Sequence, residues 1–198
     1  MTNLNRTSLL LIVTLFLQGC MNVASTGAEA VYNRHSLQKN ISEQYITMQA
    51  YKALNIKTEE FKNAHISIST YNGEVLLAGQ VPEAWQKTKA EQIVKSIPDI
   101  GRVYNLVSVG SPSSALTRIS DSWITAKVKA KLLASEDLDA TQVKVVTENG
   151  TVYLMATLQP DEASAAVDIA SNTEGVLSVV KIFSYVHISK KIQGPAQA

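Results

Sequence analysis

The chain has 198 residues, 45% of them apolar, and a formal net charge of +1. That length suits one domain or two small ones, and a near-neutral total argues against a nucleic-acid binder, which shows a strong basic excess. Cys20 is the single cysteine, so no disulfide forms within one molecule.

Arg6 is followed by an apolar run, Leu9 to Leu17, and then by Gln18-Gly19-Cys20. A positive start, an apolar stretch of about 7–15 residues and a small residue before the cut describe a secretory signal peptide. The run falls short of the roughly 20 residues a spanning helix needs. The cysteine directly after Gly19 resembles the bacterial lipobox, in which the thiol is lipidated and the chain is cut before it. The expected signal peptide is therefore residues 1–19, and loss of Arg6 leaves a neutral mature chain. The lipobox resemblance implies two or three acyl chains on Cys20, and two suffice for stable anchoring. Met21 in place of Asp after the cysteine implies the outer membrane, facing the periplasm.

Residues 20–40 have little periodicity and are expected to form a tether. The remainder repeats itself, the feature to seek first. Ile41-Ser42-Glu43-Gln44-Tyr45-Ile46-Thr47 returns as Ile119-Ser120-Asp121-Ser122-Trp123-Ile124-Thr125, and Thr70-Tyr71-Asn72-Gly73-Glu74-Val75 as Thr147-Glu148-Asn149-Gly150-Thr151-Val152. Ile100-Gly101-Arg102-Val103 returns as Val176-Leu177-Ser178-Val179. The offset shortens by one residue at each landmark, as a duplication with losses in loops would have it. The expected domains are 41–109 and 118–188, joined by a polar linker, 110–117, and followed by a tail, 189–198.

In each copy a helix comes first. Ser42 and Ser120 are candidate N-caps, whose hydroxyl oxygens accept a free amide of the first turn. Ile46, Ala50 and Leu54 in one copy, and Ile124, Val128 and Leu132 in the other, mark a buried face at i, i+4, i+8. Strands at 65–71 and 74–79, and at 143–147 and 151–156, flank Asn72-Gly73 and Asn149-Gly150, a strong type I′ hairpin signal. Pro82 and Pro160, each followed by an acid, end those strands and open helices at about 83–97 and 161–173. Strands at 103–109 and 178–187 close the units. The predicted fold class is α+β, each domain αββαβ with two helices packed on a three-stranded sheet.

This order resembles the BON domain, a small bacterial envelope module; the Asn-Gly hairpin, the Val-x-Leu strand after it and the Gly-x-x-x-Val approach to the last strand carry the likeness. Lipobox, tether, BON, short linker and BON together are similar to the division- and outer-membrane-stress-associated lipid-binding lipoproteins of Gram-negative bacteria. Ser122-Trp123-Ile124-Thr125 with Lys127-Val128 is the most specific match. The resemblance implies a second BON domain that binds anionic phospholipid, phosphatidylglycerol or cardiolipin, and supports envelope integrity, with a link to division sites.

The copies differ on one helix face. With helical positions advancing by roughly 100°, Trp123 lies about 100° from Ile124, and Lys127 and Lys131 lie about 40° and 80° from Trp123. Tyr45, Gln49 and Ala53 hold the matching positions in the first copy. An indole sits well at headgroup level, and a Lys near an anionic surface contributes ~1 kcal/mol. From the residues alone, the lysines equally suit a solvated face, and Trp123 a contact with the first unit. The resemblance places the phospholipid contact on Ser120, Asp121, Trp123, Ile124, Thr125, Lys127 and Lys131; for Asp121, stabilisation of the helix start is the better explanation.

The competing reading is a periplasmic scaffold for outer-membrane assembly or cell-wall remodelling proteins, with Trp123 as an interface anchor. His35, His65 and His187 are scattered without metal-ligand spacing. Asp161-Glu162 and Glu136-Asp137 read as helix-end or loop charges. With no phosphate loop and no nucleophile elbow, the expectation is a non-enzyme without cofactors.

Overall fold

The computed structural model of the protein describes residues 42–55 and 58–186. The expected signal peptide, the Cys20 lipidation site, the tether, His35, His187 and the tail lie outside the described residues.

Helix α1 spans 42–54 and buries Ile46, Ala50 and Leu54. A short 3-10 turn, Glu59–Phe61, leads into β1 (His65–Tyr71), β2 (Glu74–Val81), α2 (Ala84–Lys95), β3 (Arg102–Asn105) and β4 (Ser108–Val109). The second copy runs α3 (Ala115–Leu133), a 3-10 turn (Ala140–Gln142), β5 (Lys144–Glu148), β6 (Thr151–Leu158), α4 (Pro160–Ser171) and β7 (Ser178–Tyr185). In each sheet the hairpin strands pair antiparallel, and the last strand joins the central one in parallel.

The local reasons are those the residue pattern supplies. Asn72 and Gly73, and Asn149 and Gly150, all have positive φ, as a type I′ turn requires. Gly150 is constrained further, because a Cβ there would lie 2.7 Å from the Leu177 side chain. At α2, Gln86 Oε1 accepts the Glu83 N–H (3.0 Å); at α4, Glu162 Oε2 accepts the Gln159 N–H (2.8 Å). In both cases the third helical residue reaches back to an otherwise orphaned amide.

Two expectations need correction. The first unit's closing strand is not continuous over 103–109: it breaks after Asn105, whose side-chain amide donates to Lys87 O (2.9 Å) and Glu91 Oε2 (3.1 Å), and Val107 turns into the core. Residues 110–117 are not all linker either, because α3 already begins at Ala115.

Each domain has its own core between its helices and its sheet. Ile46, Leu54, Phe61, Val75, Leu77 and Val94 are buried together in the first, and Ile124, Val128, Leu132, Val152, Leu154 and Leu158 in the second. A third cluster joins them. Leu76 and Ala78, on the opposite face of β2 from Val75 and Leu77, pack with Tyr71, Tyr153, Met155 and Ile182. The two sheets therefore stack on the faces their helices leave open, and β2 and β6 are buried on both sides. Polar contacts edge this seam: the Thr157 N–H donates to Tyr71 Oη (3.1 Å), Asn72 Nδ2 donates to Thr157 Oγ1 (3.0 Å), and His65 Nε2 lies 3.2 Å from Glu148 Oε2.

Candidate functional site

Helix α3 starts earlier than the repeat suggests. Ser114 is its N-cap, its Oγ accepting the Thr117 N–H (3.1 Å), and Arg118 Nη1 donates to Ser113 O (2.6 Å). Ser120 is thus an exposed residue in the second turn, not a cap. Nor does Asp121 stabilise the helix start: it is buried, its Oδ2 accepting the Asn149 N–H and its Oδ1 the Gly150 N–H, both at 2.8 Å. The carboxylate binds the hairpin turn to the helix. Ser42 is likewise already within α1, and Glu43 Oε1 accepts the Asn72 N–H (2.9 Å) in the corresponding place.

The other expected site residues divide in two. Ile124 is buried in the domain core and lies against Gly175, whose added Cβ would approach Ile124 Cγ1 to 3.1 Å. Thr125 is half-buried, donating to Thr147 Oγ1 (2.7 Å). Trp123, by contrast, is 68% exposed, so it does not pack against the first domain. Lys127 Nζ stands 3.4 Å from Glu174 Oε2, and Lys131 Nζ donates to Asn172 O (3.0 Å). Trp123, Lys127, Lys131 and Ser120 form the outward group; Asp121, Ile124 and Thr125 are structural.

Trp123 is not isolated. Leu116 (78% exposed), Ile119 and Leu133 are exposed on the same helix, as are Ala126 and Ala130. With Trp123 they recur at alternating intervals of three and four residues, which confines them to a sector of about 100°. Lys127 and Lys131 border the stripe on one side and Lys129 on the other. The helix carries one acid, Asp121, and that acid is buried. These apolar members were legible as a repeating pattern, but a helix taken to start at Ser120 loses Leu116 and Ile119. Leu177, in the loop after α4 and beside Gly150, is a further exposed apolar residue (80%), with no periodicity to announce it.

Helix α1 presents Tyr45, Met48 and Tyr51 instead, with Gln49 Nε2 donating to Tyr45 Oη (2.7 Å) and Lys52 as its one basic residue. A cavity of about 580 Å³ lies between Tyr45, Gln49, Ala53 and the loop at Ile97-Pro98-Asp99. In the second domain the side chains of Lys127 and Lys131 span the matching interval.

A smaller cavity, about 340 Å³, opens where β1 meets the second domain, between His65, Arg118, Thr125 and Glu148. Burial pushes the Glu148 carboxyl above its usual range, against the lowering pull of His65. Among the described residues no group of three His, Cys, Asp or Glu is placed to hold a metal ion, and no helix is long and apolar enough to cross a membrane.

The family model of the BON domain matches this chain twice, at residues 42–111 and 120–186. The chain is 34% identical over 188 residues to the outer membrane lipoprotein DolP of Haemophilus influenzae, covering 92% of this chain and 97% of that one. It is 36% identical over 146 residues to the 21 kDa hemolysin of Actinobacillus pleuropneumoniae, 74% of this chain and 73% of that one. The osmotically-inducible protein Y of Escherichia coli is 29% identical over 131 residues, 65% of each chain.

Proposed function

Because the chain belongs to the BON-domain family and is an outer-membrane lipoprotein, we propose that it docks on anionic phospholipid through α3 of its second domain. The observation that carries this reading is the exposed stripe of Leu116, Ile119, Trp123 and Leu133 between lysines. An amphipathic helix with cations beside its apolar face lies in the plane of a membrane interface, its apolar side about 5–10 Å into the headgroup boundary. Lysine stems run along apolar surface while their charges stay with the headgroups. Glu174 beside Lys127 offsets part of that attraction, so Lys129 and Lys131 carry more of it.

Lipidation of Cys20 after removal of residues 1–19 would hold the protein to the periplasmic face of the outer membrane. A tethered site sees a high effective lipid concentration, so a weak second contact is enough to favour regions rich in phosphatidylglycerol or cardiolipin. In this reading the protein supports envelope integrity, including at division sites, by binding rather than by catalysis.

The test is an amide-shift NMR titration of residues 21–198 with phosphatidylglycerol micelles and with phosphatidylcholine micelles. Shifts centred on residues 116–133 and specific to the anionic lipid, weakening steeply as salt rises, are expected. Equal shifts with both lipids, or none on α3, would overturn the proposal and favour a scaffold that binds envelope proteins.

A further inference from the structure

The two domains end their sheets differently. In the first, the closing strand is broken between β3 and β4, and the Asn105 side chain reaches across to α2. In the second, β7 runs unbroken for eight residues and pairs with β6 in parallel along all of them. Among the described residues nothing pairs with its other side. A strand paired on one side presents a row of backbone N–H and C=O groups along the other, and only another extended backbone satisfies them as a row.

The surroundings say what kind of strand fits. Val179 and Phe183 pack on the core beneath α4, whereas Val180 and Ile182 face the seam between the sheets. Lys181 and Tyr185 therefore lie on the α4 side, where they line a groove of about 500 Å³ with Ala163, Val167 and Asp168. Ala163 and Val167 give the groove a small apolar floor, with Ser164 and Asp168 beside them. Lys181 stands at the middle of the edge, exposed and without an ion pair among the described residues. A second copy pairing antiparallel with its twofold at Lys181 would set two such lysines face to face, which is unfavourable. The occupant the charge favours is a different chain.

We propose that the free edge of β7, with the groove between it and α4, takes an extended segment of a partner protein. The segment adds as a strand, sets small apolar side chains against Ala163 and Val167, and places a carboxylate at Lys181. Backbone pairing supplies affinity in such strand addition, and the alternate side chains supply specificity. This site is separate from the stripe on α3 and stands whether or not that stripe binds lipid.

The probe is an acetylated eight-residue peptide of alternating Thr and Val with a central Glu, added to the isotope-labelled full chain in neutral-detergent micelles. Saturable binding with about tenfold slower exchange of alternate β7 amides is expected. A peptide with central Lys should bind about fivefold more weakly, and Lys181→Glu should reverse that preference. N-methylation of alternate peptide amides should abolish binding. Unchanged β7 amides, binding indifferent to N-methylation, or protection centred on α3 would each overturn the proposal. So would protection of β7 that grows with protein concentration when no peptide is present, since the occupant would then be a second copy.

Discussion

In the first domain Glu43 receives one amide of its hairpin turn, that of Asn72; in the second, Asp121 receives two, those of Asn149 and Gly150. The same duplication leaves Tyr45, Gln49 and Ala53 on one helix where Trp123, Lys127 and Lys131 stand on the other. Both copies keep a carboxylate on the helix to fasten the hairpin, so this contact belongs to the fold. These three differing helix positions lie outside the domain core, freed from packing and therefore able to take on a surface role.

The largest expected effect tests the shared contact. Asp121→Ala leaves the buried Gly150 amide and the part-buried Asn149 amide without their charged acceptor and should lower stability by about 3 kcal/mol, with Glu43→Ala costing roughly half as much. Urea unfolding of residues 21–198 measures both; equal losses would break the distinction between one amide and two. Next, Trp123→Glu should reduce binding to phosphatidylglycerol vesicles by tenfold or more, given a charge in place of an apolar anchor, which is over about 1.4 kcal/mol. Its far-UV circular dichroism should be unchanged. Tyr45→Glu should leave vesicle binding intact, and a comparable loss there would show that both helices contact lipid.

A smaller contrast lies within α3. Lys131→Ala should weaken vesicle binding about fivefold, corresponding to ~1 kcal/mol, and Lys127→Ala less, because Glu174 already faces Lys127. Glu174→Gln should tighten binding, and sedimentation with vesicles at low and high salt would check all three. The smallest effect concerns the seam. Burial holds the folded-state Glu148 carboxyl above its ordinary range, so its contribution is most favourable in acid and is lost as pH rises through the raised value. Glu148→Gln should therefore raise Tm at neutral pH and flatten its dependence on pH, as calorimetry across the range from about pH 4 to about pH 7 would show.

What could be read from the residues was what repeats locally. The Asn-Gly turns, the apolar i, i+4, i+8 faces and the prolines each act within a few residues of themselves, and the elements they predict are present. The match of Ser120 to Ser42 in the repeat sets the start of α3 too late, whereas Ser114 caps a longer helix. The role of Asp121 is not legible locally, because its partners lie at Asn149 and Gly150 and no short window contains them. The break at Leu106–Val107 depends on Asn105 meeting α2. The seam between the sheets was hidden for a different cause. Leu76, Ala78, Tyr153 and Met155 sit in strands apolar on both faces, and a continuous apolar run does not say what covers its second face.

That seam has a consequence for how the molecule faces its surroundings. With the sheets back to back, α1 and α2 cover one outside surface and α3 and α4 the other. When α3 rests on a bilayer, α1 and α2 lie across the seam from it. The seam thus gives the protein two sides with opposite audiences, and in the proposed docking one meets lipid and the other the space beyond. The buried Leu76 and Met155 between them keep either side from turning without the other.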